Sequence, residues 1–318
     1  IAKFAEKLTS TLPDGLDVVY FTNSGSEAND LAILMARAYT KNYDVIALRN
    51  AYHGGSQGAM GLTAHSNWKY SVPHGFGILH SVTPNRYRGH FGYDDPESGE
   101  KYALDVKDLI ERGSTGGIAA FIAEPIQGVG GIVEMPPGYL KRAYEYVRNS
   151  GGVCIADEVQ TGFGRTGDNF WGFENNDVVP DMVVMAKGIG NGCPLGAVVT
   201  TKEIAQSMTE AIHFNTYGGN PVSCAQGLAS LEAILEENMQ GNAKLLGEQL
   251  LTGMRALQKK YSCIGDVRGK GLMVGMELVE DEVKTPATKL TADVLETCKD
   301  LGLLIGKGGY FGNVIRIT

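Results

Sequence analysis

The sequence offers little that points toward nucleic acid, a membrane or an oxidising compartment. Its 318 residues carry 28 Lys and Arg against 36 Asp and Glu, a net charge of -8, and the basic side chains nowhere cluster into a polyanion footprint. Nucleic acid is therefore not expected as a partner. Cysteine is sparse: Cys154, Cys193, Cys224, Cys263 and Cys298 lie far apart, are odd in number and include no C-x-x-C pair. This argues against a zinc ribbon or a disulfide framework and makes a reducing compartment the default. No apolar run approaches the roughly 18 residues of a membrane span, so no membrane association is expected. The opening Ile1 to Leu12 alternates Lys and Glu with apolar residues, which suits a helix already under way better than a signal peptide. None of the six histidines pairs with another at metal-ligand spacing, and no metal is expected.

What is present is a hydrophobic fraction of 43%, enough for a sizeable core in one large and one smaller domain. Short β-rich runs recur at Val18–Thr22, Asp44–Leu48, Ile118–Ala123, Gly152–Ala156, Met182–Ala186 and Gly196–Thr200. They are apolar throughout rather than alternating, as strands of a parallel sheet covered on both faces are. Helical periodicity lies between them. Asn29–Thr40 places Leu31, Leu34, Met35 and Ala38 on one face, and Gly138–Arg148 does the same with Leu140, Ala143, Tyr144 and Val147. The pattern predicts an α/β, doubly wound, mostly parallel sheet. Pro84–Tyr102, rich in Gly, Pro and charge, predicts a long excursion loop. Long helical stretches at Ser223–Glu237 and Ala243–Tyr261 precede shorter α/β alternation, so a larger unit is placed at 1–240 and a smaller one at 241–318. The abrupt opening and the uncapped, strand-like NVIRIT at the end suggest a piece of a longer protein.

Three segments carry chemistry. The first, Thr22-Asn23-Ser24-Gly25-Ser26-Glu27-Ala28, joins a strand to a helix, and its S-x-x-E spacing predicts a capping box at Ser24 and Glu27. Gly25 and Ser26 would offer N–H groups and a hydroxyl at a positive helix end, which suits a phosphate, although a capped helix that binds nothing reads the same way. The second, Cys154-Ile155-Ala156-Asp157-Glu158-Val159-Gln160, ends a buried strand in two carboxylates at the edge where ligands of open α/β folds gather. Asp157 there can hold a cationic ring nitrogen or simply cap the next turn. The third, Met182-Val183-Val184-Met185-Ala186-Lys187-Gly188, delivers a lysine into a glycine-rich turn, where apolar neighbours lower an amine's pKa and suit Schiff-base chemistry. A lone lysine after a strand is commonly just solvated, so Lys187 gains weight only from Asp157, 30 residues upstream on another strand. Tyr52 in YHGG can stack on a ring or belong to a plain turn, and Thr216 in NTYGGNP can reach a phosphate or only cap. Arg165 and Arg268 are consistent with surface or interface charges.

Taken in order, NSGSEAND, AYHGG, AEPIQG, ADEVQTGFGRTG, MAKGIGNG, TYGGNP and DVRGKGLMVGMEL resemble the class III (ornithine and ω-amino acid type) aminotransferases of fold type I, over the whole of Ile1 to Thr318. The resemblance implies pyridoxal 5'-phosphate held by Lys187 as a Schiff base, with Asp157 on the pyridine nitrogen. It implies that Gly25 and Ser26 bind the phosphate, that Tyr52 and Val159 cover the two ring faces, and that Gln160 approaches the phenolic oxygen. Thr216 would contact the phosphate of a partner subunit's cofactor, which makes a homodimer the minimal active unit. Arg316 in VIRIT matches an arginine that grips a substrate carboxylate, and Glu124 in AEPIQG the glutamate that pairs with it when the other substrate is bound. The implied activity moves an amino group from an amino acid to glyoxylate or pyruvate, and the implied address is mitochondrial. Other class III activities share every cofactor motif and stay open, as does an inactive assembly module. A dinucleotide-binding dehydrogenase is disfavoured because NSGSEA, not G-x-G-x-x-G, follows the first strand.

Overall fold

The computed structural model describes residues 1–318. In chain order its elements are α1 (Ala2–Thr9), β1 (Val18–Thr22), α2 (Gly25–Thr40), β2 (Val45–Leu48), α3 (Gln57–Leu62), β3 (Ile78–Ser81), α4 (Ser98–Asp108), β4 (Ala120–Ala123), β5 (Ile126–Gln127) and β6 (Val133–Glu134). They continue with α5 (Tyr139–Asn149), β7 (Val153–Asp157), β8 (Met182–Met185), β9 (Gly196–Thr200), α6 (Lys202–Ser207), α7 (Pro221–Glu236), α8 (Met239–Lys260), β10 (Ile264–Lys270), β11 (Met273–Leu278), α9 (Thr288–Asp300), β12 (Gly306–Gly308) and β13 (Val314–Ile317).

The α/β expectation is met by a seven-stranded sheet in the order β1-β9-β8-β7-β4-β2-β3. Its strands are parallel except for β9, which runs antiparallel to both β1 and β8. Gly196–Thr200 was expected among parallel strands; the short return from β8 leaves room for a reversal but not for a helical crossover. The sheet core is fully buried, with β2, β4, β7 and β8 showing no exposed residue. Helix α2 covers one face through Leu31, Ala32 and Met35, and α5 covers the other through Tyr139, Ala143 and Tyr144. A second sheet, β10-β11-β13-β12, is antiparallel and carries its own small cluster around Val274 and Ile315.

Several local expectations are corrected. Helix α2 begins at Gly25, not Asn29, because the cap is Ser24. Its buried face runs through Ala28, Ala32 and Ala36, which let the helix approach the sheet closely, while Leu34 is 50% exposed. The reciprocal half of the capping box is displaced: Ser24 Oγ accepts from Glu27 N, but the Glu27 carboxylate takes the N–H of Asn23. The strand β3 was not anticipated, and α4 starts within the expected excursion loop. Tyr102 of α4 is buried and ties that loop down, accepting from Phe91 N and donating to Asn85 O.

Candidate active site

Five parallel strands deliver functional groups at their carboxyl ends, the edge where open α/β sheets bind ligands. β1 leads into Ser24 and the first turn of α2. β2 leads into Tyr52, His53 and Gly54, β4 into Glu124, β7 into Asp157, Val159 and Gln160, and β8 into Lys187. A cavity of about 160 Å³ collects Gly25, Ser26, Tyr52, Glu124, Asp157 and Lys187 on its walls, together with Val159 and Gln160. An adjoining space of about 680 Å³ shares Val159, Gln160 and Lys187 and opens toward Phe163, Ile234 and Ala243. The smaller cavity is where acid, amine and helix terminus converge, so the chemistry is assigned there.

Asp157 is 3% exposed, and its carboxylate is fully engaged. Oδ2 lies 2.7 Å from His53 Nδ1 and accepts from Asn29 Nδ2 at 3.0 Å, while Oδ1 accepts from Val159 N at 3.1 Å. Burial pushes the carboxyl up, but the hydrogen bond and charge of His53, with the bonds from Asn29 and Val159, outweigh it and hold it below the usual range. Asp157 is thus an anion in a dry setting. Lys187 sits just past β8 with φ +50. Burial depresses its amine below the ordinary lysine value, partly countered by the charges of Asp157 and Glu124 and reinforced by Arg316.

Glu124 is buried and accepts from Tyr52 N at 3.1 Å and from Gly128 N at 3.0 Å. Burial raises its carboxyl above the normal value, with Asp157 adding to the rise and His53 opposing it. Arg316, on β13, donates from Nη2 to Gln160 Oε1 at 3.1 Å, and its Nε is buried without a partner. Glu124 and Arg316 form no ion pair here: the carboxylate accepts from backbone N–H groups and the guanidinium donates to Gln160. Gly54, at φ +128, is needed because a Cβ there would overlap the Ser26 hydroxyl. That hydroxyl accepts from Gly55 N at 3.2 Å.

Thr216 is not brought to this cavity. It is exposed on the loop before α7, beside Ile212, Phe214 and Tyr217, which are 99%, 79% and 71% exposed. Arg268 is buried, not a surface charge: it pairs with Asp266 and Glu277. Sequence reasoning missed His53 and Asn29, whose bonds to Asp157 span 104 and 128 residues, so no local spacing signals them.

These residues fit pyridoxal phosphate. A buried carboxylate suits a ring N–H, a desolvated amine suits the carbonyl carbon, and the first-turn N–H groups of a helix, which lack intrahelical acceptors, suit a phosphate. Gly25 keeps the wall open, since a Cβ there would come within 3.2 Å of Val159 Cγ2.

The family model for aminotransferase class III matches residues 1–318. An Arabidopsis thaliana protein named alanine–glyoxylate aminotransferase 2 homolog 2, mitochondrial, is 57% identical over 319 residues, covering 100% of this chain and 66% of its own length. The Homo sapiens alanine–glyoxylate aminotransferase 2, mitochondrial, is 47% identical over 338 residues, covering 99% of this chain and 66% of its own length. The chain thus spans just under two thirds of these relatives. Among solved structures, an Arthrobacter phospholyase in complex with phosphoethanolamine superposes with a TM-score of 0.93 at 34% identity, covering 99% of this chain and 75% of that one. A Pseudomonas jessenii omega transaminase in complex with PMP gives 0.93 at 28% identity, covering 99% and 73%. With the sheet order, the ordered motifs and a whole-chain match in agreement, this chain belongs to the class-III aminotransferase family.

Proposed function

We propose that the protein is a pyridoxal-phosphate-dependent transaminase that moves an amino group from alanine or an ω- or β-amino acid to glyoxylate or pyruvate. The observation that carries this reading is the convergence of Lys187, Asp157 and the Gly25–Ser26 end of α2 on one cavity. When bound, the cofactor supplies an electron sink for the electron pair released at the substrate carbon. Lys187 Nζ, whose proton affinity burial lowers, would hold the cofactor and then move the proton from that carbon. Asp157 stays anionic and keeps the proton on the ring nitrogen, with His53 and Asn29 fixing its orientation. Gly25 and Ser26 would take the phosphate, Tyr52 and Val159 would flank the ring, and Gln160 would serve its phenolic oxygen, all from the walls of the same cavity.

Substrate selection is assigned to Arg316, whose guanidinium suits a carboxylate bidentately, and to Glu124, which neutralises it when a substrate without an α-carboxylate is present. Thr216 and the exposed Ile212, Phe214 and Tyr217 support a homodimer in which the Thr216 loop reaches the partner subunit's site; apolar side chains this exposed mark an interaction face. The relatives' names support a mitochondrial location, and no helix is long and apolar enough to cross a membrane.

The test is a donor and acceptor screen on cofactor-loaded, full-length protein. Alanine with glyoxylate should give glycine and pyruvate. Absence of amino transfer, with phosphate released from phosphoethanolamine instead, would favour the lyase chemistry named for the Arthrobacter protein and overturn the proposal.

A further inference from the structure

The two arginines of the second sheet stand in one cross-strand row. Arg268 of β10 is opposite Gly275 of β11, and Gly275 is opposite Arg316 of β13. Directly opposed residues share a face, so the two guanidiniums flank a strand that has no side chain between them. The gap is filled from another part of the chain. A Cβ at Gly275 would lie 2.9 Å from Ile132 Cβ and 3.1 Å from its Cγ1.

Ile132 is fully buried and has φ +55, a conformation that a β-branched side chain adopts only when its surroundings over-determine it. Arg268 supplies the constraint. Its Nε donates to Gly131 O and Ile132 O at 3.0 Å each, and its Nη2 donates to Gly131 O at 2.7 Å. The guanidinium is itself held by Asp266 Oδ2 at 2.8 Å and Glu277 Oε2 at 2.7 Å, and Glu277 is also paired with Arg88. The gripped turn begins at the active site, where Gly128 N donates to Glu124 Oε2 at 3.0 Å. Val129 O, in the same turn, accepts from Gly309 N at 2.9 Å, beside the Gly308 that gives the Arg316 side chain its room.

We infer that Arg268 and the Gly275 notch form a latch that presses the strained Gly131–Ile132 turn onto the second sheet and so sets where Arg316, lodged against Gly308 beside that turn, presents its guanidinium. Arg268, Gly275 and Ile132 are positioning residues for recognition of a substrate carboxylate. The inference rests on the reading of Arg316 as the carboxylate clamp. A turn merely packed for stability would not need a left-handed isoleucine bonded through two successive carbonyls to one buried guanidinium.

The experiment uses full-length, cofactor-loaded protein carrying Gly275→Ala, Arg268→Lys or, as reference, Arg316→Lys. It measures KM for glyoxylate, the inhibition constant of propionate, KM for an amine donor without a carboxylate, kcat and the cofactor absorption. Gly275→Ala and Arg268→Lys should raise the glyoxylate KM and the propionate constant about tenfold, since displacement of a binding group by a fraction of an ångström has effects of this order. The amine KM, kcat and cofactor spectrum should stay within about twofold, the scatter of independent sites. Adding Ile132→Gly to Gly275→Ala removes the Cβ that the new methyl meets and should recover part of the carboxylate affinity. If Arg316→Lys weakens carboxylate binding while Gly275→Ala does not, the latch is wrong and the clamp stands. If Arg316→Lys has no effect, the clamp reading falls and takes the latch with it. Uniform losses for carboxylate and amine substrates in Gly275→Ala, without recovery by Ile132→Gly, would show a purely structural role and overturn the inference.

Discussion

His53 Nδ1 lies 2.7 Å from Asp157 Oδ2, and both side chains are buried. Because Asp157 is held as an anion, Nδ1 carries a proton and donates to it. His53→Phe removes one of three donors on a buried carboxylate, and an uncompensated charge of this kind costs about 1–3 kcal/mol. The Asp157 carboxyl should move up, so that kcat falls roughly tenfold or more at neutral pH and the acid limb of the pH profile shifts to higher pH. A pH–rate profile with an unmoved acid limb would show that His53 does not tune Asp157.

Asp157→Asn keeps the shape of the site but sets an amide NH₂ against the donors of His53 and Asn29 or of Val159. It also cannot hold a proton on a pyridine nitrogen as an anion does. Cofactor should still bind, with kcat lowered by about two to three orders of magnitude, as for loss of other preorganised electrostatic groups. Single-turnover rates within a factor of a few of the parent would remove Asp157 from the mechanism.

Substrate discrimination is tested at Arg316 and Glu124. Lysine cannot reproduce the guanidinium fork, so Arg316→Lys should raise KM for keto acids about tenfold or more with little change in the cofactor spectrum. Glu124→Gln should impair ω-amine donors more than α-amino acids, because the neutralising charge is needed only when the α-carboxylate is missing. Equal losses for both donor types would make Glu124 structural.

Glu158 gives a pH prediction outside the chemical site. It is fully buried and accepts from Thr161 Oγ1 at 2.6 Å, Gly172 N at 2.9 Å and Phe173 N at 2.7 Å, with no cation paired to it. Burial pushes its carboxyl from 4.5 to about 7, against the lowering by those hydrogen bonds and with a further rise from Asp157. The native state therefore keeps a proton that the unfolded chain loses first. Stability should fall as pH rises from about 4.5 to about 7, by roughly 3 kcal/mol once the penalty is complete. Glu158→Gln should flatten this part of the stability curve, measured by denaturant titration at several pH values; an unchanged slope would assign it to other groups.

The strands were legible where apolar residues ran without interruption: Gly196–Thr200, buried throughout, and Val18–Thr22, a partly buried edge strand, are both found at their expected ends. Ile78–Ser81 was not, because His80 and Ser81 cut its apolar run to two residues. The start of α2 was hidden because glycine and serine in its first turn resemble a loop. Lys187 and Asp157 were visible as polar residues ending apolar runs. Their supporting partners were not: His53, Asn29 and Arg268 are buried polar residues whose bonds, to Asp157 or to Gly131, join distant segments and exist only once the fold brings those segments together.

The central claim is that Lys187 is the residue to which the cofactor is joined. Full-length protein loaded with pyridoxal phosphate is reduced with borohydride, digested and mapped by mass spectrometry. The account predicts a single modified peptide with the pyridoxyl group on Nζ of Lys187, and none in Lys187→Ala. A label on another lysine, or an undiminished label in Lys187→Ala, would contradict it.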